Sequence, residues 1–599
     1  MKSFLRAVSM IAFVCLATRV TSATIRYSVS IQERNEHSFQ VVMTIPNPPS
    51  GIVVALPAWN ALYQIRDFGY RVTDLEEEGI DKGQRDEESC VRKLDKQTWQ
   101  IGGEGTPKPC IMGSNVRIRY SIQWNDPGPF GSQLNSHHAF INLADILMYI
   151  PNRREESSEV VFLGKPADWR IIQELPSGPE ADSFLAESYD KLVDAPVEIG
   201  SFEEFEFDNG GAHFRVVVDG EGWSKGRLES ALRRITSYEL KLMGGPPFKE
   251  YTFIFHLGPY LENGGGGMEH ANSTAIAAGS LDGAVSIAAH EFFHVWNVKR
   301  IRPQALEPVD YSKEQFTRAL WFAEGVTSTY AAFTLERSGL WSKDQFYSDL
   351  AQQIGDLEAR PAHTWQSVEE SSLDAWYEKY DTYNRPDRSI SYYNKGQILG
   401  VLLDLQIRNA TDNRKSLDDA LRTLNQEYAL QGKFYNESEG VRRAVEEVAG
   451  ISFADFFQNY VAGTLAVPYG DFLAAAGLEL KQEAHRRADL GFWPGFAPGT
   501  GMQVTAVEAG GRAEVAGLRA GDLLLALNGE EVMKDPYRVF RSLFPGQIVK
   551  LHVRRGLEEM DISYQLGSRE DRLYTITEMP NPSEKQRRIR EGVIHGATD

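Results

Sequence analysis

Residues 290–294 read His-Glu-Phe-Phe-His, and this pentapeptide limits the fold more than any other stretch of the chain. Positions four apart share one face of an α-helix, a turn above one another. His290 and His294 can therefore offer two imidazole nitrogens to one metal ion only if the chain is helical here. The flanks agree. Val285, Ile287, Ala288 and Phe292 supply an apolar side, Asp282 offers a cap and Pro303 a stop. Glu291 falls three residues before His294, near the same face but outside the ligand pair, where a carboxylate can take a proton from a water at the metal. Taken alone, the pentapeptide would also suit an ordinary core helix.

Zinc in one large class of hydrolases adds a carboxylate to two histidines, so an acid should follow. Glu307, Asp310, Glu314 and Glu324 are the candidates. Glu307 and Asp310 lie in a Pro-containing connection and read as solvated. Glu314 suits the first turn of the next helix, where the helix dipole favours an acid. Glu324, in Trp321-Phe322-Ala323-Glu324-Gly325, is set in an apolar helix where a core-facing carboxylate needs a partner. It is the expected third ligand, giving one zinc per chain with a coordination position left open.

Around this centre the pattern changes along the 599 residues. Residues 24–195 alternate as strands do, for example Tyr27-Ser28-Val29-Ser30-Ile31. Helical patterns recur near 283–300, 314–336, 394–409 and 437–462, with strand-like stretches at 213–218 and 251–257. Strand character returns near 485. The expected class is α+β multidomain. Residues 1–23 read as an export signal: Lys2 and Arg6, a short apolar run, then small residues before a cut. The mature chain is then expected to be exported, periplasmic or secreted, with no membrane span. Removal of the signal takes Cys15 and leaves Cys90 and Cys110, an even pair for which a disulfide is expected and two free thiols are the alternative. A formal net charge of -20 argues against nucleic acid as a partner.

The run His290 to Pro303 (HEFFHVWNVKRIRP), followed by WFAEG, resembles the glycyl aminopeptidase family of gluzincin metallopeptidases. Pro57-Ala58-Trp59 and Tyr63 to Phe68 also resemble that family, although Asn60-Ala61-Leu62 replaces its Pro-Gly-Ser-like turn and reads as a surface change. The resemblance implies an N-terminal all-β domain (24–195), a thermolysin-like, mainly helical zinc domain (196–482), a PDZ domain (485–570) and a C-terminal extension (571–599). It implies Glu324 as third ligand and a preference for N-terminal glycine and alanine. Gly264 to Gly267 with Met268-Glu269-His270 resembles the exopeptidase motif of related aminopeptidases, with His270 where they carry Asn. Glycines permit close approach of a substrate backbone, and Glu269 could pair with its α-ammonium. Gly267, Met268 and Glu269 are thus the expected substrate-binding residues. Tyr393, two residues before Lys395-Gly396, matches the tyrosine that steadies the oxyanion in related gluzincins. Ala516-Gly517-Leu518-Arg519-Ala520-Gly521-Asp522 resembles the PDZ pattern, which binds extended peptides by strand addition.

Three readings follow. The favoured one is an aminopeptidase acting on peptides with a free N-terminus, with Glu291 as general base. A thermolysin-type endopeptidase would need no ammonium anchor, so Glu269 separates it from the first. A non-catalytic PDZ peptide-binding protein is opposed by the intact set of His290, Glu291, His294 and Glu324.

Overall fold

The computed structural model describes residues 24–598 except 61–62, 78–89, 107–113, 259–260, 262–264, 498–500 and 535. The expected signal (1–23) and Cys110 lie outside the described residues. Cys90 is disulfide-bonded.

Strand alternation dictates the first domain. Ile25–Glu33 buries every second residue along its first seven positions. It pairs antiparallel with Ser38–Pro46 and parallel with Ser158–Leu163 inside a six-stranded sheet. A four-stranded sheet contains Val197–Gly200 and His138–Ile141, paired antiparallel. Valine, isoleucine and aromatic side chains from both sheets fill one core.

The second domain sets helices on a five-stranded mixed sheet, ordered Glu203–Asn209, Ala212–Gly220, Glu250–Leu257, Ser273–Ala278 and Gly266–Glu269. The last of these forms the sheet edge and runs antiparallel to Ser273–Ala278. The helix Leu281–Phe293 follows directly. Its cap is Ser280, whose side chain accepts from the Gly283 N–H, rather than the expected Asp282, which sits in the first turn and pairs with Arg227. The helix ends at Phe293, well before Pro303, and residues 294–300 continue as turns in which His294 Nδ1 donates to the Asn297 carbonyl and the Asn297 side chain to the Phe322 carbonyl.

The next expected helix begins later than its pattern suggested. Residues 314–318 are irregular, so Glu314 is not in a first turn. Trp321–Val326 is a π-helical turn that continues into Thr327–Arg337. Tyr392–Thr411 packs across it through glycines: a Cβ on Gly325 would stand 2.5 Å from the Gly396 Cα, and one on Gly396 would stand 2.3 Å from the Trp321 carbonyl oxygen. Only glycine at both positions lets the helices approach this closely.

The strand Leu478–Asp489 pairs along its whole length with Gly567–Glu578. The expected boundary near 482–485 falls inside this ribbon. A β-sheet with its own core follows, containing Gly501–Val507, Leu523–Leu527, Ile548–Arg555 and Glu558–Gln565. After the ribbon, the helix Glu584–His595 returns to the catalytic core through Ile589, Val593 and Ile594. Among the described residues, no helix is long and apolar enough to cross a membrane.

Candidate active site

A cavity of about 520 Å³ runs between the two N-terminal domains, and the expected chemical residues line it together: His290, Glu291, His294, Glu324, Glu269, Gly267, Met268 and Tyr393. His290 and His294 Nε2 atoms lie 3.0 Å apart. Glu324 Oε2 lies 3.5 Å from the first and 3.3 Å from the second. Donors held tetrahedrally at about 2.0–2.1 Å from zinc stand about 3.3–3.4 Å from each other, so the three atoms fit one zinc ion.

The outer contacts agree with that fit. His294 Nδ1 donates to the Asn297 carbonyl at 2.6 Å, so its Nε2 lone pair faces the cluster. His290 Nδ1 meets the Ser328 hydroxyl at 3.2 Å, and that hydroxyl donates to the Glu324 carbonyl. Asn297 also donates to the Phe322 carbonyl, tying the segment after the motif helix to the turn that carries Glu324. Burial alone would raise the Glu324 carboxyl and lower His294. Their mutual attraction outweighs burial, holding Glu324 below its usual range and His294 above its own. The cluster draws in positive charge.

Glu291 stands beside the ligands, its carboxylate within 4.8 Å of both imidazole donors. It is buried, and among the described residues its Oε2 has no hydrogen-bond partner. Burial pushes its carboxyl well above 4.5; His294 opposes the push, and Glu269 and Glu324 add to it. The edge strand presses on this group: a Cβ on Gly267 would stand 2.3 Å from the Glu291 Cδ. Tyr393 has its ring 6.2 Å from that of His290, while Tyr392 is buried behind it at 4.7 Å.

Three features were not legible beforehand. Asn60 lines the cavity rather than the outer surface, donating to Asp145 Oδ1 at 2.7 Å and to the Phe130 carbonyl at 3.1 Å; Ala61 and Leu62 lie outside the described residues. His270, the departure from the related motif, faces Asp194 Oδ1 at 3.3 Å, and Lys299 donates to that same oxygen at 2.7 Å. The third is the π-turn under Glu324, a form frequent at functional sites.

Comparison with known proteins agrees with this geometry. The M61 glycyl aminopeptidase family matches residues 283–399, the peptidase M61 N-terminal domain matches 26–201 and a PDZ domain matches 503–555. The chain carries M61-type peptidase domains. These matches support a zinc aminopeptidase. The fold is that of a crystal structure described as an aminopeptidase N family protein from Idiomarina loihiensis, at TM-score 0.80 and 24% identity, covering 94% of this chain and 99% of that one. An M1 zinc metallopeptidase from Deinococcus radiodurans is more distant, at TM-score 0.42 and 15% identity, covering 74% of this chain and 95% of that one. A comparison with curated proteins finds no match.

Proposed function

We propose that this M61 peptidase removes single small residues, glycine or alanine, from the free N-terminus of peptides, working with one zinc per chain in an exported compartment, periplasmic or extracellular. The observation that carries the reading is the edge strand Gly266–Glu269 laid against Glu291. Its outer backbone groups are available to an extended substrate, which can add as a further strand. Glu269 closes that strand and takes the substrate's α-ammonium, so the first peptide bond comes to the metal ligands. His290, His294 and Glu324 would hold the zinc, which supplies Lewis-acid polarisation and an acidified water.

Glu291 takes the proton from the attacking water as its oxygen bonds to the carbonyl carbon. It then passes that proton to the amide nitrogen as the C–N bond breaks. Its buried place beside the ligands keeps the proton within the pocket between the two steps. Tyr393 donates its phenolic hydrogen to the oxygen that becomes negative. The export pattern at residues 1–23 supports the compartment, and the PDZ domain offers a second place for extended peptide.

A panel of aminoacyl amides, run with and without N-acetylation, tests this reading. Free amines should be cut and acetylated ones ignored, because a charge-assisted hydrogen bond is worth about 1.5–3 kcal/mol, roughly 10- to 150-fold. Glu269→Ala should remove most of that difference while keeping zinc. Cleavage of acetylated peptides at internal bonds, as fast as free ones, would replace it with an endopeptidase reading.

A further inference from the structure

The preference for a small first residue needs a wall, and the N-terminal domain supplies one. Trp59, Tyr63 and Phe130 line the same cavity as Glu269 and Glu324. Tyr63 is packed edge-on against Trp376 of the catalytic domain at 6.1 Å, and Trp59 against the same ring at 5.3 Å. Both indoles are pinned: Trp59 Nε1 donates to the Asp310 carbonyl at 2.8 Å, and Trp376 Nε1 to the Gln315 carbonyl at 3.1 Å. The three rings therefore form a braced surface across the domain junction.

Tyr63 also has a backbone φ of +47°, in the left-handed region. A non-glycine residue there costs about 1–2 kcal/mol, which glycine would not incur. The cost is carried at the one position that projects this ring into the cavity. Burial pushes the Tyr63 phenol well above its usual range, and the charges adding most to that push are Glu324 and then Glu269. Tyr63 lines the same cavity as the metal-ligand carboxylate Glu324 and the ammonium anchor Glu269.

We propose that Tyr63, braced by Trp59 and Trp376, is the specificity-determining residue that limits the substrate's first side chain to hydrogen or methyl. The inference rests on the proposed aminopeptidase reading. A residue whose ammonium is at Glu269 and whose carbonyl is at the ligands has its Cα between those two points. Its side chain then leaves into the cavity whose aromatic wall includes Tyr63, the ring packed against both Trp59 and Trp376.

The test compares glycine, alanine and leucine p-nitroanilides on the zinc-loaded full chain and on Tyr63→Ala, Tyr63→Leu and Tyr63→Phe, with zinc content as the check on folding. The ratio of kcat/KM for leucine over glycine should rise roughly 10-fold or more in Tyr63→Ala, the scale on which apolar pockets discriminate side chains. It should rise less in Tyr63→Leu and stay near wild type in Tyr63→Phe, which keeps the ring. If Tyr63→Ala does not fold, Tyr63→Leu alone decides through the same ratio. An unchanged ratio in a folded, zinc-loaded variant, or a wild type that already prefers leucine, overturns the wall. A wild type that cuts none of the free-amine substrates overturns the aminopeptidase reading instead.

Discussion

In the catalytic cluster, His290 and His294 point their Nε2 atoms at each other, 3.0 Å apart, with one Glu324 oxygen 3.3–3.5 Å from both. In a second buried cluster, at the seam between the N-terminal domain and the catalytic sheet, the histidines point elsewhere. His138 Nδ1 faces Glu198 Oε1 at 2.9 Å, and His256 Nε2 faces the other oxygen, Oε2, at 2.9 Å. Two histidines and a glutamate are common to both. What separates them is the hydrogen-bond wiring behind the rings.

At the seam, that wiring can be followed from a fixed end. His37 Nδ1 donates to the Leu134 carbonyl, so its Nε2 accepts from Asn125 Nδ2. Asn125 Oδ1 then accepts from Gln133 Nε2, which leaves Gln133 Oε1 to accept from His138 Nε2–H. With Nε2 protonated, His138 Nδ1 can sit 2.9 Å from a carboxylate, and 3.5 Å from Asp219, only if it too carries a proton. His138 thus lies between Gln133 and Glu198, and Glu198 links it to His256 on the catalytic sheet, with the two carboxylates Glu198 and Asp219 favouring its charged form. At the catalytic cluster the outer bonds leave lone pairs converging on one point. Identical donors thus give a proton-bridged seam in one place and a metal cradle in the other.

Several substitutions sharpen this contrast. The largest effect is expected for Glu291→Gln, which should lower kcat by about 10²–10⁴ while keeping zinc and melting temperature, because only the proton acceptor is lost. Steady-state kinetics with metal analysis checks it, and full activity would remove Glu291 as the base. Glu198→Gln should do the reverse. Removing one member of a buried charge pair costs about 3–5 kcal/mol, so denaturant unfolding should shift strongly while zinc content stays. Tyr393→Phe should lower kcat by roughly 10²–10³ with KM near its starting value, the mark of a contact made in the transition state. A KM effect with normal kcat would assign Tyr393 to substrate binding.

The smallest effect is in pH dependence. Burial alone would raise the Glu198 carboxyl, but the facing His138 and His256 rings outweigh it and hold it at about 2, against 4.5 ordinarily. Its contribution is complete above 4.5 and is lost as pH falls through about 2. Burial opposes the His138 imidazolium, yet Glu198 and Asp219 prevail and raise its pKa above 6.5. Its contribution is complete below 6.5 and is lost as pH rises through the raised value. The stability gap between the native chain and His138→Gln should therefore be widest between pH 4.5 and 6.5 and narrow above that window. A gap that goes on widening as pH rises above 6.5 would contradict a charged His138.

The contrast also shows what the sequence could reveal. His290, Glu291 and His294 were legible because their spacing acts within one helix. Glu324 was legible because a carboxylate in an apolar helix needs a partner, though the π-turn presenting it was not. That turn depends on Gly325 and Gly396 meeting across two helices, a contact between residues 71 positions apart. Asn60 and Tyr63 give no local signal of facing the cavity, since only domain docking puts them there. The seam cluster joins residues 138, 198 and 256 from two sheets, and no spacing rule links them.

Zinc analysis of three purified proteins tests the central claim most directly. The native chain should hold about one zinc, His294→Ala close to none, and folded His138→Gln still about one. Two zinc ions in the native chain with one lost in His138→Gln, or full retention in His294→Ala, would contradict the assignment of the metal to His290, His294 and Glu324.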